Sequence, residues 1–320
     1  MTVFTVIIRL MTVFFFIKYF LKDFHQYFDK ISNCNAIFTF DLEDSLLEIG
    51  SESKTSFIKQ KYRDILRFLL CNYPAILKYP IAVRVNHPDT IEFQKDLAVL
   101  ETLNFVNWNT IILPKIESSK SVSKAISDLK SHQVNFENIG ILIESEKGVI
   151  NLNNIIKEAT PDVKYVFFGH ADYNLDRKIL PFKHQLDEEY WDWVQRLLDI
   201  LQSEDLTFIN SPCLYLKDKK LFLYNLHKLS QFNFKKIGQL TLSLEQSFLC
   251  QKTSGINRSF SNLKKRKEKR SVVKYARELT DIYKDQSSEK SFSISENHYL
   301  ICPQEYKMAN EFLKARTWTS

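Results

Sequence analysis

Residues 36–86 read AIFTFDLEDSLLEIGSESKTSFIKQKYRDILRFLLCNYPAILKYPIAVRVN. The run Ala36–Glu43 is apolar, aromatic and β-branched, which predicts a strand; Ser56–Cys71 has helical period, and Ile81–Asn86 returns to strand composition. The helical stretch is long enough to cross over a sheet and bring the second strand in parallel to the first. Both strands end in charge, the first with Asp41, Glu43 and Asp44 and the second with Arg84.

The same alternation continues outward in both directions. Further strands are expected over Val13–Ile17, Thr110–Lys115, Gly140–Ser145, Tyr165–Gly169, Thr207–Pro212 and Gly238–Ser243. Helical stretches between them include Lys22–Ile31, Thr90–Leu103, Ser118–Leu129, Glu188–Leu201 and Asp218–Phe232. Eight such units over about 240 residues suit an α/β (β/α)8 TIM barrel, for which roughly 250 residues is typical. We place that barrel at residues 11–250. An open doubly wound sheet is the alternative, but no G-x-G-x-x-G or G-x-x-x-x-G-K-[ST] loop occurs and the six glycines are scattered. Residues 251–320 read as a C-terminal linker and helical extension. It comprises the basic run NLKKRKEKR, a helix over Ser271–Tyr283, a strand-like piece at His298–Cys302 and a last helix over Pro303–Arg316.

Composition removes several function classes. With 320 residues, 44% hydrophobic and 26% charged, the chain can bury a large core, which excludes disorder and small disulfide scaffolds. Lys and Arg outnumber Asp and Glu by 44 to 38, too mild an excess for a dedicated nucleic-acid binder; the run Lys264–Arg270 reads as a solvated linker. Five widely spaced cysteines without a C-x-x-C pair fit neither a disulfide framework nor a zinc site, and suit a reducing cytoplasm. In MTVFTVIIRLMTVFFFIKYFLK, Arg9 and Lys18 divide apolar runs shorter than the ~20 residues that span a bilayer, so no membrane partner is expected. MTVF stands at both 1–4 and 11–14, which suggests Met11 as an alternative start.

In a barrel of this kind, chemistry sits where strands end and βα loops face a common mouth. Five consecutive strands, the second to the sixth, end in charge: Asp41, Glu43 and Asp44; Arg84; Lys115 and Glu117; Glu144; and Asp172. One strand-end carboxylate is ordinarily a helix cap or a solvated residue. Five successive strands ending in charge at the same end are not explained that way. Converging carboxylates raise one another's pKa unless a cation intervenes, so a hard divalent metal held by Glu144 and Asp172 is the expected solution. Arg84 could hold a substrate carboxylate in a bidentate pair. Lys115 would orient the carboxylates or balance Glu117, and His170 reads equally as a ligand or base and as a neutral loop residue.

The segments FDLEDSL (40–46), VRVN (83–86), LPKIES (113–118), LIESEKGVIN (142–151) and FFGHADYNLD (167–176) resemble, in order and spacing, the HpcH/HpaI aldolase and citrate lyase family, particularly proteins similar to the citrate lyase beta subunit. The likeness extends over roughly residues 12–250, with a weaker continuation at SPCLYLKDKK (211–220). It implies a phosphoenolpyruvate/pyruvate-type TIM barrel, commonly a homotrimer. In such a barrel a divalent metal, Mg2+ with Mn2+ as the alternative, makes or breaks a carbon–carbon bond beside a carboxylate or thioester carbonyl. Carried over, Glu144 and Asp172 ligate the metal, and Arg84, with Lys115, binds a small keto or hydroxy acid or its thioester. Glu43 and Asp44, with Arg84, then serve catalysis near the metal and its waters.

Three departures accompany the likeness. The first strand lacks the family's Pro-Gly turn and nearby arginine, which weighs against recognition of a coenzyme A thioester. The usual Ile-His-Pro near strand eight is Leu242, Ser243 and Leu244 here. No aspartate stands two residues before Pro303. A catalytically impaired member serving as a binding or assembly subunit is therefore the alternative reading.

Overall fold

In the computed structural model, residues 11–17, 24–46, 48–158, 161–251, 271–286 and 292–317 are described. The unit read from residues 36–86 is β2 (Ile37–Asp41), α2 (Glu52–Asn72) and β3 (Ile81–Arg84), with β2 and β3 parallel and Asp41 opposite Arg84. It extends back to β1 (Thr12–Phe16) and α1 (Phe24–Ile31). It extends forward through α3 (Ile91–Thr102), β4 (Trp108–Leu113), α4 (Ser119–Ser131), β5 (Phe136–Ile143), α5 (Glu146–Glu158) and β6 (Val163–Phe168). There follow α6 (His170–Asp176), α7 (Glu188–Leu201), β7 (Thr207–Asn210), α8 (Lys219–Ser230), β8 (Ile237–Thr241) and α9 (Leu244–Gln251).

The strands pair in chain order and β8 pairs in parallel with β1, Thr12 opposite Gly238, so the sheet is a closed barrel. The open-sheet alternative is thereby overturned. Gly238 permits the seam: a Cβ there would stand 2.5 Å from the carbonyl oxygen of Thr12 and 2.4 Å from Ile209. The first helix is described only from Phe24. Residues 1–10, which bear on the Met11 start, and the basic run Lys264–Arg270 lie outside the described residues. Among the described residues no helix is long and apolar enough to cross a membrane.

Strand period two sorts the core. One face supplies the barrel interior with one residue from every strand: Phe14, Ile37, Ala82, Ile112, Leu142, Phe167, Ile209 and Leu240. The other face, with Phe38, Phe40, Val83, Ile111 and Ile141, packs under the helices. The inward parity carried to the strand ends brings Asp41, Arg84 and Glu144 to the mouth on one side, and Phe16 and Leu242 on the other.

The C-terminal extension comprises α10 (Val272–Gln286), a short antiparallel pair β9 (Ser293–Ile294) and β10 (Leu300–Ile301), and α11 (Pro303–Thr317). It has its own apolar centre in Ala276, Leu279, Tyr283, Ile301 and Ala309. It docks over the barrel mouth. Leu300 donates its backbone N–H to Leu214, Leu216 donates to His298, and α11 packs on α6.

Candidate active site at the barrel mouth

The acidic half of the mouth forms where β2, β4, β5 and β6 end. Asp44 opens a single 3-10 turn, Asp44–Leu46, directly after β2. Glu144 follows β5 by one residue and Asp172 lies in the first turn of α6. Asp172 is therefore a helix residue, where the sequence reading had it ending a strand; the chain turns helical immediately after Gly169. That glycine admits Glu144: a Cβ at Gly169 would lie 2.5 Å from the Glu144 carboxylate. Ligand oxygens of Asp44, Glu144 and Asp172 all lie within 4.8 Å of one another. Glu144 and Asp172 do converge as expected, and Asp44 joins them.

Lys115 is held in the left-handed region, φ 54°, which few non-glycine residues adopt and which concentrates at functional sites. The conformation lets one residue serve three carboxylates. Its backbone N–H donates to Glu144 at 2.9 Å, while its Nζ reaches Glu43 at 2.7 Å and Asp44 at 2.9 Å. Lys115 thus does not balance Glu117, which takes Lys147 and the Ser145 hydroxyl instead. Arg84 turns inward against Asp41, with Nε and Nη2 each 2.7 Å from a carboxylate oxygen, and its Nη1 lies 3.2 Å from Glu43. Its guanidinium stands 5.2 Å from the centre of the Phe16 ring.

The five carboxylates therefore share two cations unevenly. Both cations serve the Asp41–Glu43–Asp44 side. Burial, then the charge of Asp172, pushes the Glu144 carboxyl well above the usual range; burial, then Asp44, does the same to Asp172. Burial, then Asp44, raises Glu43 to about 7. Burial acts in the same sense on Asp44, but the Lys115 ammonium and the hydrogen bond to Glu43 outweigh it and hold that carboxyl low. Glu144 and Asp172 thus tend to keep protons here, and a divalent cation reverses that tendency. Three convergent hard oxygen donors, two of them short of positive charge, fit Mg2+ or Mn2+.

The cap adds a residue the sequence reading missed. Gln304, in the first turn of α11, donates its side-chain amide to Asp44 and Asp172, both at 2.8 Å. No local pattern announces a contact across 132 residues or more. His170 is buried and neutral, its pKa pushed well down by burial and then by His184. It belongs to a chain of hydrogen bonds that runs from Ser211 through His170 and His184 to Tyr299 and Glu305 of the cap.

Together the mouth and cap line a cavity of about 220 Å³ that is partly open to solvent. Asp41, Asp44, Arg84, Glu144, Asp172 and Gln304 line it, whereas Glu43 and Lys115 do not.

Comparison with known proteins agrees with this architecture. Residues 37–192 match the HpcH/HpaI aldolase/citrate lyase family model. RipC from Yersinia pestis is 18% identical, with a TM-score of 0.55 over 76% of this chain and 94% of that one. The citrate lyase beta subunit of Mycobacterium tuberculosis, solved with oxaloacetate and magnesium, is 16% identical, with a TM-score of 0.55 over 76% of this chain and 96% of that one. The same organism's CitE protein, solved with magnesium, acetoacetate and coenzyme A, is 16% identical, with a TM-score of 0.57 over 95% and 97% of the two chains. At these identities the structural likeness establishes the fold. No curated protein matches the chain. The strand-end motifs and the closed barrel agree with the family match: over residues 37–192, just under half of its length, this chain is similar to the HpcH/HpaI aldolase/citrate lyase family.

Proposed function

We propose that the protein is a divalent-metal-dependent carbon–carbon lyase or aldolase acting on a small keto or hydroxy acid, free or as its thioester. The observation that carries this reading is the convergence of Asp44, Glu144 and Asp172 at the C-terminal mouth of the barrel. A bound Mg2+ would supply positive charge to a substrate carbonyl, favouring the electron-rich oxygen that develops when the neighbouring carbon–carbon bond is made or broken.

Each side chain has its part. Glu144 and Asp172 hold the metal, and Asp44, kept ionised by Lys115, completes the oxygen set. Two donors of Arg84 are engaged by Asp41 and its Nη1 also faces Glu43; its remaining N–H groups donate to the substrate carboxylate at the cavity wall. Lys115 fixes the acidic loop after β2 against the end of β4. Glu43, raised to about 7, is the member of the cluster whose proton affinity suits exchange near neutral pH. Five free cysteines suit work in the cytoplasm, and the family resemblance suggests a trimer, which light scattering on the purified chain checks.

Replacing Glu144 with Gln removes charge but keeps volume. The variant should lose Mg2+ affinity by at least about 100-fold, and metal-dependent turnover with it, while its circular dichroism is unchanged. Unchanged metal affinity would refute the assignment. One observation favours the impaired, binding-only alternative: Gln304 already satisfies two carboxylates from the cap. Calorimetry with Mg2+ and pyruvate separates the two, because ternary binding without turnover of any oxo acid or acyl thioester supports the alternative.

A further inference from the structure

The cavity is two-sided. The ends of β2 to β6 supply acid and guanidinium, whereas β8, β1 and the segments after β7 and in the cap supply carbon. Phe16 and Leu242 occupy the same inward parity, at the ends of β1 and β8, as Arg84 and Glu144 at the ends of β3 and β5. Leu214, Leu216, Leu240 and Leu300 extend this wall. Leu216, Leu242 and Leu300 are only partly buried, so they keep apolar surface for an occupant.

Positive charge is scarce by comparison. Among the described residues lining the cavity, Arg84 is the one Lys or Arg, and Asp41 already takes two of its donors while Glu43 lies 3.2 Å from its Nη1. It can receive one substrate carboxylate. A second carboxylate or a phosphate at the far end would lie against leucine and phenylalanine without a partner, a costly burial. The volume also falls below the ~300 Å³ where sites for drug-sized ligands begin.

We propose that the site takes a monocarboxylic 2-oxo or hydroxy acid whose far end is an aliphatic or aromatic group, in preference to a dicarboxylate or a phosphorylated acid. This specificity rests on the reading of the mouth as a metal-dependent lyase site. A divalent cation that Asp44, Glu144 and Asp172 would hold, together with Arg84, would take the oxo-acid end, and the leucine wall with Phe16 takes the hydrocarbon end.

The test is calorimetric titration of the Mg2+-loaded full chain with pyruvate, 4-methyl-2-oxopentanoate and oxaloacetate. The last two differ in an isopropyl group against a carboxylate of similar shape. The isopropyl acid should bind at least about ten-fold more tightly than pyruvate, because three more carbons leave water, and at least about ten-fold more tightly than oxaloacetate. Leu242→Asn and, separately, Leu216→Asn should erase the advantage over pyruvate while pyruvate itself still binds. Oxaloacetate binding as tightly as the isopropyl acid, or an advantage that survives both substitutions, overturns the specificity and leaves the lyase reading standing. Absence of Mg2+-dependent binding by all three acids overturns both.

Discussion

Arg63 shows how a residue far from the cavity sets its geometry. It is fully buried on α2 and pairs with Asp96 and Glu92 of α3, both at 2.7 Å. Asp96 in turn accepts from the backbone and the side-chain amide of Asn86, at 2.7 and 2.8 Å, and Asn86 donates to the carbonyl of Leu42. The Asn of VRVN is therefore a tie between the ends of β2 and β3, the strands that present Asp41 and Arg84 to each other. Truncating Asp96 to Ala leaves the buried Arg63 guanidinium with Glu92 as its one remaining ion-pair partner and takes the acceptor from both Asn86 donors. Urea denaturation should show a loss of about 3–5 kcal/mol, much more than a surface ion pair would cost. At Gln304 the expectation concerns metal response. Gln304→Leu removes the donors that satisfy Asp44 and Asp172 without metal, so the apo protein should melt lower. The Tm gain on adding Mg2+ should then exceed that of the wild type, and an equal gain would show that the amide and the ion do not share these carboxylates.

At the scale of an element, docking of the cap is expected to depend on protonation. Glu305 of α11 is fully buried and accepts from Tyr275 of α10 and Tyr299, which precedes β10. Burial raises its carboxyl from 4.5 to about 7 in the folded protein, although both tyrosines act against that shift. Between these values the folded chain holds a proton that the unfolded chain has released. The stabilisation is thus complete below pH 4.5 and fades as pH rises through 7. Limited proteolysis should accordingly release the cap faster at pH 8 than at pH 6, and Glu305→Gln, which cannot ionise, should flatten that dependence. A wild-type rate independent of pH would show that Glu305 does not govern docking. The cap's position was not legible in the sequence. Its helices were, from period and from Pro303, but the contacts that seat it run through single polar side chains such as Gln304 and Tyr299, which carry no periodic signature.

At the scale of the whole molecule, the barrel was legible because every unit repeats one physical pattern. A short apolar run is followed by an amphipathic crossover, and period two then dictates which residues face inward. That parity places Arg84 above Ala82 and Glu144 above Leu142, so two of the site residues follow from strand assignment alone. The third carboxylate of the convergent set, Asp44, was read as a catalytic neighbour because its orientation depends on a 3-10 turn and on Lys115 at positive φ, neither of which alternation encodes. Pairing of Lys115 with Glu43 and Asp44 spans more than 70 residues, whereas Glu117, only two residues away, offered the local explanation. Lone strand-end charges are thus readable as a group before any one of them can be assigned.

The lyase reading depends on a cation at the mouth. A crystal of the full chain grown with Mn2+ and measured at the manganese absorption edge should show one strong anomalous peak between Glu144 and Asp172, with Asp44 alongside. The peak should vanish in Glu144→Gln crystals grown identically. A mouth without a peak at saturating Mn2+, or a peak that persists in the variant, would contradict the assignment of these carboxylates to a metal.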